Sequence, residues 1–536
     1  MNDHMTMATY DLLIVGGGIN GAAIAREAVL NGLSVLLVEQ GDLAGATSSA
    51  STKLIHGGLR YLEYYDFKLV AEALRERERL VKAAPHVIRP LRFVLPHENA
   101  VRPWWMVRLG LYFYDMLGGR MTLKRSRSLR KSDTAFTAPL KGGARGFVYS
   151  DAFVDDARLT LLNAIDAADH GADIRVGTAL ESARRDDGIW RATLSGGGGV
   201  TTRAIVNAAG PWVAALLGRL GVNTAAGVRL VKGSHIVVPR LYDGDHAYIL
   251  QLPDRRIVFA IPYQDDSTEI GTTDIPVDRP EDAVIDADEI GYLCDAANQH
   301  FVRQVTPGDV TSTWSGVRPL YDDGASEARA VTRDYVLELD TNGPPLLSVF
   351  GGKITTARHL AEEAIGKLAP TLGRSARRTT RDRIFPGGDI APFAAFLSEV
   401  RRIWPFLGTR RSERMARAYG SMLRRMLADV TDEAGMGRAF AAGLTEIEVR
   451  WMHDREWARA PDDVLMRRSK LGLHMTAAER TAFAAWWNAT YPAGERFAAS
   501  ATVTPRSNGW QPDPRPIGPA LSKTARSTPA PPPVRP

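Results

Sequence analysis

The stretch KLIHGGLRYLE, Lys53 to Glu63, gathers an ammonium, an imidazole, a guanidinium and a phenol around paired glycines, close behind the glycine-rich IVGGGINGAAIAREA. In that earlier stretch Gly16, Gly18 and Gly21 form G-x-G-x-x-G, and Glu39 closes the LSVLLVE that follows. Backbone N–H groups at a helix start can hold a pyrophosphate, and an acidic residue about twenty positions on can accept from a ribose hydroxyl. Such a turn needs only glycines and one carboxylate. The side chains of Lys53, His56, Arg60 and Tyr61 therefore point to something lying beyond the nucleotide. Between the two motifs, ATSSASTKLIHGG (Ala46 to Gly58) is rich in small hydroxyl residues and glycines, which suits close approach of backbone to a flat, extended cofactor such as FAD. Taken alone it reads equally well as a surface loop, and NAD stays open beside FAD.

These groups need elements to position them. Tyr10 to Gly41 reads as strand, glycine turn, helix and strand, which is one βαβ unit. From Asp66, DFKLVAEALRERERLVKAAP places Leu69, Ala73, Leu80 and Ala84 at helical spacing, and its charge run RERER reads as a solvated helix face. DARLTLLNAIDAADHGADIRVGTA reads as a helix followed by a strand. WRATLSGGGGVTTRAIVNAAGPW reads as a hairpin around Gly196 to Gly199, whose second strand ends on Ala208, Ala209 and Gly210, small enough for a ligand to approach the backbone. Alternating strands between about Val228 and Asp274 suggest a separate sheet domain, and the Ala-, Arg- and Trp-rich stretch from Ala391 to Ala499 suggests a small helical one. From Pro505 the proline-rich end has little to bury and is expected to be disordered.

The totals set limits. A chain of 536 residues is too long for one core, so two or three domains are expected. Cys294 is the only cysteine, which rules out an internal disulfide framework, a four-cysteine zinc site and a cysteine-ligated iron–sulfur cluster, and fits a reducing compartment. With no H-E-x-x-H and no carboxylate loop spacing, no metal site is expected. The N-terminus lacks a signal-type pattern and is read as uncleaved and unexported. WWMVRLGLYFYDMLGG carries Arg108 and Asp115 and falls short of the ~20 apolar residues that span a bilayer, so no transmembrane helix is expected. A formal charge of +6 suits an anionic partner without choosing one.

IVGGGINGAAIAREAVLNGLSVLLVE, TSSASTKLIHGGLRYLEYYDFKLVAEALRERE, VNAAGPW, KGSHIVVPR, IGTTD, SGVRPL, TRDY and SVFGGKITT, in this order, resemble the FAD-dependent respiratory glycerol-3-phosphate dehydrogenase family from about Tyr10 to Ala499. The resemblance implies an α/β fold, α+β in part: a glutathione-reductase/D-amino-acid-oxidase-type FAD domain, a β-sheet substrate domain and a helical C-terminal cap. The first two would interleave over 10–390, with the βαβ FAD unit at 10–65 and the substrate sheet mainly at 221–310, followed by the cap at 391–500 and the tail at 501–536. Flavin contacts are implied for Gly16, Gly18, Gly21, Glu39, Ser48, Ser49, Lys53, His56, Gly57, Leu59, Gly210 and Gly352. Substrate contacts are implied for Arg60, Tyr61, His235, Arg318, Arg333 and Lys353.

The chemistry of these residue types agrees with that carry-over. A phosphate dianion demands several cations at one end, and Arg60, Arg333 and Lys353 fit the task. Oxidation of a C2 hydroxyl by hydride transfer to flavin N5 also needs a base with a pKa near neutrality. His235 is expected to be that base, with Arg318 stabilising the developing alkoxide and Lys353 the next candidate. The product would be dihydroxyacetone phosphate. From Pro103, a helix bearing Arg108, Tyr112 and Asp115 on one stripe and apolar side chains around the rest, followed by Arg120, Lys124, Arg125, Arg127, Arg130 and Lys131, has the make-up of a membrane-interface element. A buried core helix with a solvated basic loop would read the same way. The resemblance favours a peripheral, monotopic enzyme at the cytoplasmic face of the cell membrane, a homodimer on anionic lipid, passing electrons to ubiquinone and having no nucleic-acid partner. The alternatives are a soluble glycerol-3-phosphate oxidase reducing oxygen to peroxide, and a non-catalytic flavoprotein with a basic nucleic-acid-binding surface.

Overall fold

The computed structural model describes residues 8–97, 102–119, 121–142, 145–222, 227–254, 256–322 and 334–492, with backbone only for Arg60 and Tyr64. Arg120, Arg333 and the tail 501–536 lie outside the described residues.

Strand β1 (Ala8–Val15), helix α1 (Ile19–Leu30) and strand β2 (Val35–Val38) form the expected βαβ unit, with β1 beginning two residues before Tyr10. β1 pairs in parallel with β2 on one side and with Gly198–Asn207 on the other, and Leu346–Phe350 adds in parallel beyond. Four parallel strands therefore release their chains at one edge, at Gly16, Glu39, Ala208 and Gly351. That edge is where open parallel sheets bind ligands. The strands are apolar on both faces because both are covered. Ala22 and Ala25 of α1, Leu162 of the helix Asp156–Asp169 and Leu360 of the helix Ala357–Leu368 fill one side, and Leu13, Leu36, Val213 and Phe350 the other.

A second sheet is built around the long strand Gly227–Pro239, which pairs antiparallel with Ser267–Gly271 and with Ser312–Asp322. It runs on through Ile257–Tyr263, Ala247–Gln251, Ile88–Pro96 and Gly146–Val154 to the two residues Leu54–Ile55. The register sets His235 opposite Gly271 on one side and Trp314 on the other. Helices from Phe393 to Thr490 close on their own core, in which Met415, Tyr419, Met452 and Trp487 are wholly buried.

The helix expected from Asp66 runs from Phe67 to Ala83, but of its charge run only Arg75 is exposed. Glu76, Arg77 and Glu78 are buried. Arg77 pairs with Asp151 at 2.6 Å and Glu76 with Arg358 at 2.6 Å, so the run staples the helix to the second sheet and to the helix Ala357–Leu368. Charges on a helix that is covered on several sides must be paired to be buried, and here each finds a partner far away in sequence.

Candidate active site

A cavity of 730 Å³ opens between the C-terminal edge of the first sheet and one face of the second. Its wall is drawn from distant segments: Thr47, His56, Leu59 and Tyr61 from the loop behind the βαβ unit, Thr272, Thr273 and Asp274 after the strand Ser267–Gly271, Arg318, and Gly351 to Lys353. The Lys353 ammonium lies 4.2 Å from the centre of the Tyr61 ring, close enough for a cation–π contact. Arg318 donates to Asp274 Oδ1 at 2.9 Å and to Thr272 Oγ1 at 3.3 Å, which fixes its guanidinium at the cavity edge. Thr273 is anchored from behind, its hydroxyl donating to Glu289 Oε1 at 2.7 Å while Lys232 holds the other carboxylate oxygen at 2.7 Å.

The residues expected to act together are only partly brought together. Tyr61, Arg318 and Lys353 share the wall, and so do His56 and Leu59. His235 does not: it is 1% exposed, stacks on Trp314 at 5.4 Å, and its Nε2 lies 3.0 Å from Thr52 Oγ1. Burial, with Lys53 and Arg318 nearby, pushes its pKa well below the usual imidazole range. Lys53 is 2% exposed, and its ammonium is taken up by Asp156 at 3.1 Å and the Ser49 carbonyl at 2.9 Å, so it offers almost no surface to a bound molecule. Gly57 is buried against Leu74 and donates to Tyr114 Oη at 2.8 Å. Arg333 and the Arg60 side chain lie outside the described residues. Thr272, Thr273, Asp274 and Asp334 were not singled out in sequence, although the motifs IGTTD and TRDY contain all four.

Comparison with known proteins places this geometry. Residues 11–358 match the family described as FAD dependent oxidoreductase, and residues 378–487 match the C-terminal domain of alpha-glycerophosphate oxidase. The chain belongs to the FAD-dependent oxidoreductase family. Among its relatives, the D-erythritol 1-phosphate dehydrogenase of Brucella abortus is 48% identical over 491 residues, 90% of this chain and 98% of that one. The glycerol-3-phosphate dehydrogenase of Pseudomonas aeruginosa is 48% identical over 501 residues, covering 92% and 97%. The aerobic glycerol-3-phosphate dehydrogenase of Escherichia coli (strain K12) is 45% identical over 491 residues, covering 90% and 97%. The structure of the glycerol-3-phosphate dehydrogenase from Bacillus halodurans complexed with FAD superposes with a TM-score of 0.65 at 27% identity, covering 90% of this chain and 94% of that one. The fold expected from the motifs, and FAD as the cofactor, both stand.

The flavoenzyme's own residues fit an extended anionic dinucleotide. Gly16 has φ +115°, and a Cβ there would fall 2.4 Å from the Ala208 carbonyl oxygen. A Cβ on Gly21 would fall 1.9 Å from the Gly16 carbonyl oxygen, so only glycine lets α1 start this close to β1. Gly18 begins that helix with no side-chain cap, leaving its end suited to a pyrophosphate. Ser48 Oγ accepts from the Ile19 N–H at 2.9 Å, and Ser49 Oγ donates to Ala46. Glu39 accepts from Gly17 N–H at 2.7 Å and from Gly41 N–H at 2.8 Å, and burial raises its pKa. Each of its oxygens keeps a lone pair for a ribose hydroxyl. Gly210, at φ +56°, faces open space, Gly352, at φ +100°, packs on Asn20, and Asn20 Oδ1 is buried with no partner among the described residues.

Proposed function

We propose that the chain oxidises sn-glycerol 3-phosphate to dihydroxyacetone phosphate and passes the electrons to ubiquinone in a membrane. The observation that carries this reading is the make-up of the cavity wall, where Gly351 and Gly352, Arg318, Lys353 and His56 adjoin an apolar helix that also faces solvent. Bound FAD supplies the acceptor for the hydrogen on the carbinol carbon. Lys353 and Arg318 attract the dianion and steady the alcohol oxygen as it gains charge. Arg60 and Arg333 keep the phosphate-binding role assigned to them from sequence. His56 is half-buried on the wall, and burial, with Lys353 and Arg77 nearby, lowers its pKa. It is therefore neutral at pH 7 and able to take the hydroxyl proton, a role for which His235 stands one layer further back.

The helix Trp104–Leu117 supports attachment to a membrane. Its outward face carries Trp105 (64% exposed), Met106, Leu109, Tyr112, Phe113 and Met116, beside Tyr65 (80% exposed). Its polar side chains turn inward, Asp115 accepting from Ser126 at 2.6 Å. Lys124, Arg125, Arg130 and Lys131 are exposed in the following segment. An apolar face ringed by cations suits an anionic bilayer surface, and no helix among the described residues is long and apolar enough to cross one. Peripheral attachment at the cytoplasmic face, a homodimer, and the division into flavin unit, substrate sheet and helical cap complete the proposal.

Relatives equally similar to this chain carry the names of two phosphorylated polyols, so the deciding experiment offers both to the yellow enzyme without oxygen. Bleaching by glycerol 3-phosphate at lower concentration than by D-erythritol 1-phosphate is expected. Bleaching by the four-carbon substrate alone would reassign the substrate, and bleaching by neither would reject the reading. Readmitting oxygen or a soluble quinone then tests the acceptor, and faster reoxidation by oxygen would favour an oxidase.

A further inference from the structure

The loop that follows β2 is held from the far end of the chain. Asp42, 9% exposed at its side chain, receives Arg467 Nε at 2.5 Å and Arg468 Nη2 at 2.7 Å, and Arg468 Nη1 bonds to the same carboxylate. Both arginines end a π-helical turn, Asp463–Arg468, in the C-terminal helical part, and wider turns of this kind often mark functional positions. Arg467 is also paired with Asp463, and Arg468 Nη2 donates to the Glu456 carbonyl at 2.6 Å. Two residues on, Lys470 bonds to Asp155, which caps the helix Asp156–Asp169. Glu456 holds Arg158 of that helix at 2.8 and 2.9 Å.

The loop itself grips the glycine turn. Leu43 is buried where a Cβ on Gly17 would fall 2.7 Å from its side chain. The Ala44 N–H donates to the Gly17 carbonyl at 3.1 Å, and Glu39 accepts the Gly17 N–H at 2.7 Å. Any shift of Asp42 is thus handed to the turn that must face a pyrophosphate and to the carboxylate that must face a ribose. Buried ion pairs of this kind add little to stability compared with apolar packing, and setting position is a use that fits them better.

We infer that the C-terminal helical part is a cofactor-retention clamp, in which Arg467 and Arg468 are positioning residues acting through Asp42 on the FAD-binding turn. The clamp concerns how long FAD stays bound and is independent of which polyol phosphate the cavity accepts.

The test uses holoenzyme carrying Asp42→Asn, the pair Arg467→Gln/Arg468→Gln, or all three, and follows FAD release on dilution by the recovery of flavin fluorescence. Release at least tenfold faster is expected in each, with the triple variant no worse than the double because the double has already broken the contact with Asp42. Arg468→Lys should fall between. At saturating FAD, KM for substrate and kcat should match wild type; the apoprotein should lose melting temperature because a buried charge is left without its partner, and the holoenzyme should lose more, so that the rise FAD confers shrinks. Wild-type release from folded variants would overturn the inference. So would equal loss of melting temperature with and without FAD, because that is the mark of a purely structural contact. Should the arginine variants fail to fold, Asp42→Asn, which leaves the C-terminal part intact, decides the question by the same release rate.

Discussion

His56 and His235 have the same side chain and differ in what can reach them. One lines the cavity, and the other is sealed between Trp314 and Thr52. His56→Gln should retain FAD and slow anaerobic flavin reduction by about 10²–10⁴-fold, the usual worth of a general base. His235→Gln should cost far less, and the reverse ranking in stopped-flow traces would move the base to His235. Since burial depresses the His56 pKa, the acid limb of kcat/KM should fall below the ordinary imidazole value and disappear in His56→Gln. Glu269, beside His235 at 3.8 Å, has no hydrogen-bond partner for either oxygen among the described residues, and burial pushes its pKa up to about 8 against a partial pull from Lys53. A carboxyl held neutral in the fold favours the folded state at low pH, and that advantage drains away as pH rises from the ordinary carboxyl range through about 8. Glu269→Gln should therefore melt like wild type near pH 5 and higher than wild type near pH 9, by up to about 4–5 kcal/mol of stability. Equal melting of the two proteins at both pH values would show that Glu269 is ionised in the fold. Sequence named His235 as the base and His56 only as a flavin contact, because burial is set by strands that pair across the sheet and is not visible in the chain.

At the level of elements, the helix Trp104–Leu117 is apolar on both sides, with Leu111 and Tyr114 buried inward, aromatic and thioether side chains outside, and Arg108 and Asp115 turned toward Ser126. Tyr112 and Met116 are 52% and 51% exposed and do not line the cavity, so they report on the outer face alone. Tyr112→Glu/Met116→Glu should abolish flotation with liposomes, shift stability by no more than about 0.5 kcal/mol per site, and leave flavin reduction by substrate unchanged. Persistent flotation would remove the helix from the membrane proposal. The helix was legible in sequence, as were the βαβ unit and the hairpin around Gly196, because each declares itself by local period and turn chemistry. Of the RERER run only Arg75 is exposed as expected, and the reason is physical. Helical spacing reveals which residues share a face, but not that a second helix and a sheet will cover the charged one and supply Arg358 and Asp151 as partners.

For the whole molecule, attachment through an apolar face with flanking cations predicts that high salt loosens the protein from anionic vesicles only in part, because screening weakens the Coulombic share and leaves the hydrophobic share intact. Complete release by salt in a sedimentation assay would mean that the aromatic face stays in water. Most of the expected cofactor contacts fall between Gly16 and Leu59 and could be read from that stretch, whereas Gly210 and Gly352 lie far along the chain and the cavity wall, from Thr47 to Lys353, took shape only in three dimensions. The contact between Asp42 and Arg468 spans 426 positions, and this separation has a temporal meaning. A ribosome adding ~5–20 residues per second makes the glycine turn roughly 20–90 seconds before the arginines that brace it. During that interval the turn exists without the arginines that brace it. On the clamp reading, durable capture of the vitamin-derived cofactor waits until Arg467 and Arg468 have been made and reach Asp42.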